Sequence, residues 1–131
     1  MAERFLIDTS AVIKYLNETL PVNGLSLVDR IVDEESTISF ITEIELQAWN
    51  PPNPEDLKIY QFFISSSTII GVDDNTIKET IRIRKFFKLK LPDALIAATA
   101  ITNNMTLIAD NDKDFKQVPE LKYINPITIA D

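Results

Sequence analysis

The sequence predicts an α/β fold with a largely parallel sheet. Short β-branched or apolar runs recur at 5–7, 37–41, 68–72 and 105–109. Between them lie segments whose apolar residues repeat with helical spacing, and this alternation is the mark of a parallel α/β sheet. The length of 131 residues bounds the reading to a single domain over 1–131, with room for one modest core.

Each element follows from its own residues. Phe5-Leu6-Ile7 ends at Asp8 and reads as a buried strand. Residues 9–17 begin a helix, with Ala11, Val12, Tyr15 and Leu16 on its apolar face. Pro21 and Gly24 punctuate a loop, and Leu25, Val28, Ile31 and Val32 place a second helix over 26–34. Residues 37–41 are β-branched and aromatic, a second strand. Thr42 can cap the next helix, with Glu45 three residues later in a capping-box arrangement and Ile44, Leu46 and Trp49 on or near its apolar side. Pro51, Pro52 and Pro54 form a loop, and Pro54 can open a helix carrying Leu57, Tyr60, Phe63 and Ile64. Residues 68–72 are a third strand. A long helix over 73–87 follows, with Ile77, Ile81, Arg84 and Lys85 marking its two faces. Pro92 starts another helix, rich in small residues, and 105–109 is a fourth strand. Residues 123–129 offer a weak last strand interrupted by Pro126.

Composition narrows the chemistry. The chain has no Cys and no His, which removes disulfides, thiolate nucleophiles and imidazole metal sites. With only 2 Gly, glycine-rich phosphate cradles are excluded. Acidic residues number 20 against 13 basic, a net charge of -7, which counts against a generic nucleic-acid binder and suits carboxylates around a hard cation. No signal peptide or membrane-length apolar run is evident, so the expected location is the cytoplasm.

The acids fall where a parallel sheet feeds a site, at the carboxyl ends of its strands. Asp8 ends the first strand, Glu43 follows the second, Asp93 begins a helix, and Asp110 and Asp112 follow the fourth strand. Each has a bland alternative: a cap, a first-turn acid favoured by the helix dipole, or a polar turn. Together they repel unless a cation neutralises them, and Mg²⁺ or Mn²⁺ accepts oxygen ligands without His or Cys. Such a site suits phosphodiester hydrolysis. Lys78, Arg82, Arg84, Lys85, Lys88 and Lys90 crowd the segment before Asp93. They read either as a solvated helix face or as a backbone-phosphate track leading to the carboxylates.

These segments resemble the PIN-domain family, and most closely its VapC-type toxin ribonucleases. The run from Phe5 through Asp8, Thr9 and Ser10 to Ile13 is similar to the family's first motif. The run from Ile38 to Leu46 is similar to its second, whose acid Glu43 matches. The run from Leu91 to Ala100 is similar to its third, whose metal-binding acid is Asp93, and that from Thr106 to Phe115 to its fourth. The resemblance implies a three-layer α/β/α sandwich. It implies a Mg²⁺- or Mn²⁺-dependent endoribonuclease, the toxin of a type II toxin–antitoxin pair, acting as a homodimer and restrained by a small cognate antitoxin. It gives catalytic roles to Asp8, Glu43, Asp93 and Asp110, with Thr9 and Ser10 in support. The fourth ligand stays open among Asp110, Asp112 and Asp114, with Asn111 a weaker oxygen donor. The alternative is a catalytically inactive PIN-fold RNA-binding or scaffold protein. A haloacid-dehalogenase-like phosphatase would want a second Asp two residues after the first, where this chain has Ser10.

Overall fold

The computed structural model describes residues 3–129. Five short parallel strands alternate with seven helices among those residues. β1 (Phe5–Ile7) pairs with β4 (Thr106–Ile108), which pairs with β5 (Tyr123–Ile124). β2 (Thr37–Ser39) pairs with β3 (Thr68–Ile70). β1 and β2 lie side by side, so the order across the molecule is β3-β2-β1-β4-β5. The chain starts in the middle, winds outward to β3, then returns to the other side through β4. The strand order therefore reverses between β1 and β4, the position at which open parallel sheets form a crevice.

Alternation along the strands builds two cores, one on each face of the sheet. Leu6 and Leu107 pack into a cluster with α5 (Asp74–Phe86) and α6 (Leu91–Thr102), through Ile83, Ile96 and the alanines of α6. Ile7, Ile38 and Ile108 point the other way, toward Val12 of α1 (Thr9–Leu16), Val28 and Ile31 of α2 (Val22–Glu35), Leu46 of α3 (Phe40–Ala48) and Tyr60 of α4 (Pro54–Ser65). This is the α/β/α sandwich. No helix among the described residues is long and apolar enough to cross a membrane.

Local chemistry shifts several expected boundaries. The second helix begins at Val22, not 26, taking in Gly24, whose bare α-carbon sits against the Pro126 carbonyl. The second strand stops at Ser39 because the Ser39 hydroxyl caps α3, accepting the Thr42 amide at 3.2 Å. Thr42 is thus inside the helix and does not cap it. Pro54 opens α4 as expected, with Asn53 as the cap. The expected faces of α5 are inverted: Ile77 and Ile81 are about half exposed, whereas Thr76, Thr80 and Ile83 are buried. The threonines bury cheaply because Thr76 Oγ1 donates to Asp73 and Thr80 Oγ1 to the Thr76 carbonyl, so neither hydroxyl is left unbonded where α5 packs on α6. A short helix, α7 (Asp112–Phe115), stands where only a polar turn was expected.

Candidate active site

A cleft of about 310 Å³ opens at the β1/β4 reversal, lined by Asp8, Thr9, Ser10, Ile13, Glu45, Asp93, Asp110 and Asn111. Asp8 is carried there by β1. It stands at the N-cap of α1, but its side chain makes no capping hydrogen bond. Its carboxylate instead accepts from Ser10 Oγ at 3.0 Å while only 7% of the residue is exposed. From α3, Glu45 accepts a hydrogen bond from Thr9 Oγ1 at 2.6 Å. The same hydroxyl lies 3.0 Å from Thr42 Oγ1, which ties α1 to α3 beneath the acids. Asp93, in the first turn of α6, completes the wall.

The acids divide electrostatically. Burial pushes the Asp8 carboxyl up to about 6, with the Ser10 hydroxyl and the Thr9 amide partly offsetting it and the charges of Asp93 and Glu45 adding to it. Asp93 is also held above its ordinary value, first by burial, then by Asp114 and Glu45, with Lys90 pulling the other way. Asp110 lies below the usual range because Lys14 Nζ binds its Oδ2 and Asn125 Nδ2 donates to its Oδ1 at 2.9 Å. Asp112 is lowered in the same manner, by the Tyr123 hydroxyl at 2.7 Å and Asn125 Nδ2 at 3.0 Å. Among the described residues, no three acidic side chains already close around one ion. The donors nevertheless suit a hard divalent cation. They are all oxygens, and burial and mutual repulsion raise Asp8 and Asp93 above the ordinary carboxylate range, a strain that a cation relieves.

Not every acid expected at the site reaches it. Asp8, Asp93 and Asp110 line the cleft together. Glu43 does not line it, and the acid that α3 presents there is Glu45. Residues two apart do not share a helix face. Thr42 and Leu46 mark the inward face of α3, and Glu45 borders it. That pattern was the available signal for Glu45. Asp112 is likewise absent from the lining, turned toward Tyr123, Asn125 and Lys116. Asn111 lines the cleft and caps α7, its side-chain oxygen accepting the Asp114 amide at 3.3 Å. Its Nδ2 also donates to Asp114 Oδ2 at 3.0 Å, holding that carboxylate beside Asp93.

The basic run separates too. Arg82 is bound by Glu79 at 2.5 Å and by Glu120 at 3.4 Å, and Arg84 donates to the Leu89 carbonyl at 2.8 Å. Arg82 is occupied within the fold, whereas Arg84 is exposed and spends one guanidinium donor on that carbonyl. Lys85 and Lys88 are set apart from these ties, with Lys85 exposed, and Lys90 lies close enough to Asp93 to lower its pKa. Lys14, Tyr123 and Asn125 were missed. Lys14 stands one helical turn beyond Ser10, a spacing that puts both on one face. Asn125 has no local signal, because its partners are 13 and 15 residues away.

The PIN-domain family model matches residues 5–121, stopping short of Tyr123 and Asn125. The chain is 34% identical over 114 residues to a protein named ribonuclease VapC from Rickettsia bellii, covering 84% of this chain and 74% of that one. Its fold is similar to that of a VapBC2 structure from Rickettsia felis bound to a promoter DNA fragment, with a TM-score of 0.76, 25% identity and coverage of 92% and 97% of the two chains. It is also similar to a toxin–antitoxin complex from Klebsiella pneumoniae, with a TM-score of 0.73, 26% identity and coverage of 95% and 98%. With the sandwich, the crevice at the strand reversal and this likeness over nearly its whole length, the chain belongs to the PIN-domain family, among its VapC-type toxins.

Proposed function

We propose that this chain is an endoribonuclease that hydrolyses RNA phosphodiester bonds with the aid of Mg²⁺ or Mn²⁺, as the toxin of a toxin–antitoxin pair. The observation that carries the reading is the set formed by Asp8, Glu45 and Asp93: three carboxylates from three elements, facing one another in the cleft at the strand reversal. These residues would hold the ion, with Asp110 at the cleft's edge. Bound there, a divalent ion would offer positive charge for the scissile phosphate and a more acidic water.

The chain's own residues do the rest. Ser10 fixes one oxygen of Asp8, and Thr9 fixes one oxygen of Glu45, so both carboxylates keep a constant aim. Asn111 holds Asp114 against Asp93, and burial keeps bulk water from solvating Asp8. Lys85, Lys88 and Lys90 bind RNA phosphates outside the cleft and hold the strand without taking part in bond breaking. A small antitoxin covers this face, and the toxin works as a homodimer. The named relatives from Klebsiella pneumoniae and Rickettsia felis support the partner by analogy.

The test is cleavage of RNA at saturating substrate with Mg²⁺ present or chelated. Glu45→Gln is expected to abolish cleavage as Asp8→Asn and Asp93→Asn do, whereas Glu43→Gln keeps it. Loss with Glu43→Gln and retention with Glu45→Gln would overturn the assignment. Undiminished cleavage by all three cleft variants would favour the scaffold alternative, with a contaminating nuclease as the source.

A further inference from the structure

We infer that Lys14 is a built-in cation at the edge of the cleft, holding the place at Asp110 that a second metal ion would otherwise take, so that the site binds a single divalent ion. The inference rests on the reading of the cleft as a Mg²⁺ or Mn²⁺ site and specifies its stoichiometry.

The geometry divides the acids by what they already bind. Asp8 and Glu45 receive hydrogen bonds from neutral hydroxyls, those of Ser10 and Thr9. Asp110 instead has both oxygens engaged, Oδ2 by the Lys14 ammonium and Oδ1 by Asn125 Nδ2 at 2.9 Å. The neighbouring Asp112 is engaged on both oxygens as well, by Tyr123 and Asn125 on one and Lys116 on the other. A metal ligand needs a lone pair directed at the ion, and on these two carboxylates an ion would have to share each oxygen with a donor already fixed by the fold, a lysine ammonium among them.

Placement favours the ammonium over an ion. Lys14 sits in the last turn of α1, the helix that starts at Asp8, and Asp110 follows β4, the strand paired with β1. The helix that begins at the first acid thus carries the countercharge to the last one. Side-chain exposures of 36% and 29% keep the pair half out of water, where an ion pair is screened less than on an open surface. Charge is balanced in the same sense. When ionised, the four cleft acids carry four negative charges, and Lys14 with one divalent ion offsets three of them. A second divalent ion coordinated by Asp110 would have to compete with the Lys14 ammonium for Oδ2.

The experiment is a Mn²⁺ titration of the full chain, following free Mn²⁺ by electron paramagnetic resonance with no RNA present. One Mn²⁺ per chain is expected for the parent and for Lys14→Arg, which keeps the charge. Lys14→Met is expected to bind two, and Lys14→Met combined with Asp110→Asn to return to one. If Lys14→Met does not fold by circular dichroism, Lys14→Gln replaces it with the same expected doubling. Two ions on the parent, or one on every folded Lys14 variant lacking the charge, overturns the inference and leaves the metal reading of the cleft standing. A parent that binds no ion, or one whose single ion survives Asp8→Asn, fails the metal reading itself and the inference with it.

Discussion

Asp8→Asn is expected to stabilise the metal-free protein near neutral pH. The carboxyl rises from 3.8 to about 6 on folding, mainly by burial. At about 1.4 kcal/mol for each tenfold gain in proton affinity, that rise makes the ionised group cost the fold about 3 kcal/mol. The sign follows from linkage. A raised carboxyl pKa means that the folded state holds the proton more tightly, so stability falls as pH rises from about 4 to about 6 and then levels. Asparagine carries no charge and keeps an oxygen for Ser10, so the variant should escape this fall. The assay is urea unfolding of both proteins in chelator across that range. The variant's advantage should be close to nil at about pH 4 and approach about 3 kcal/mol at about pH 7. Saturating Mg²⁺ should narrow it, because only the parent gains stability from the ion. A gap that is flat with pH, or a variant less stable than the parent at neutral pH, would refute the argument that burial strains this carboxylate.

Four further outcomes are expected. Thr9→Val removes the 2.6 Å bond that aims Glu45 and should lower kcat about tenfold with little loss of Tm, the scale of one charge-assisted hydrogen bond. Gly24→Ala places a Cβ 1.9 Å from the Pro126 carbonyl oxygen. Because the obstacle is backbone, it should cost about 2 kcal/mol or more in chemical denaturation. Lys85→Ala with Lys88→Ala should weaken RNA binding and lower the slope of log affinity against log salt by roughly 1 for each phosphate these lysines neutralise, leaving kcat at saturating RNA unchanged. Arg82→Ala should instead reduce Tm, since it strands Glu79, whose side chain is only 15% exposed.

The parts of the fold legible in the sequence were those fixed by period and punctuation. Short apolar runs ending in an acid located β1 and β4, and Pro54 located α4. What escaped was decided by side-chain hydrogen bonds. Ser39 capped a helix that Thr42 was expected to cap, and the acid that this helix brings to the cleft is Glu45, not Glu43. On α5, threonines satisfied within their own helix displaced isoleucines from the core, which no hydrophobic period encodes. Asp8 and Asp93 were readable because strand ends and helix starts bring them together. The withdrawal of Asp110 and Asp112 was not, because Lys14 and Asn125 reach them across the fold.

Asn125 has a bearing on how this domain can be cut and joined. One amide holds two aspartates from the opposite edge of a loop, and the same residue accepts the Ile127 amide at 2.9 Å, so the chain's tail is stitched to the cleft. Pro126 then seats on the bare backbone of Gly24, locking that tail onto the far layer. A chain ended after Leu121 would keep all of the first three acids and the whole of both helical layers, yet would lose the clamp that sets the fourth. For a fusion protein or a split-protein sensor, the safe joint therefore lies beyond residue 127. Ligation or splitting between β4 and β5 would turn the position of Asp110 into something that an added peptide could switch.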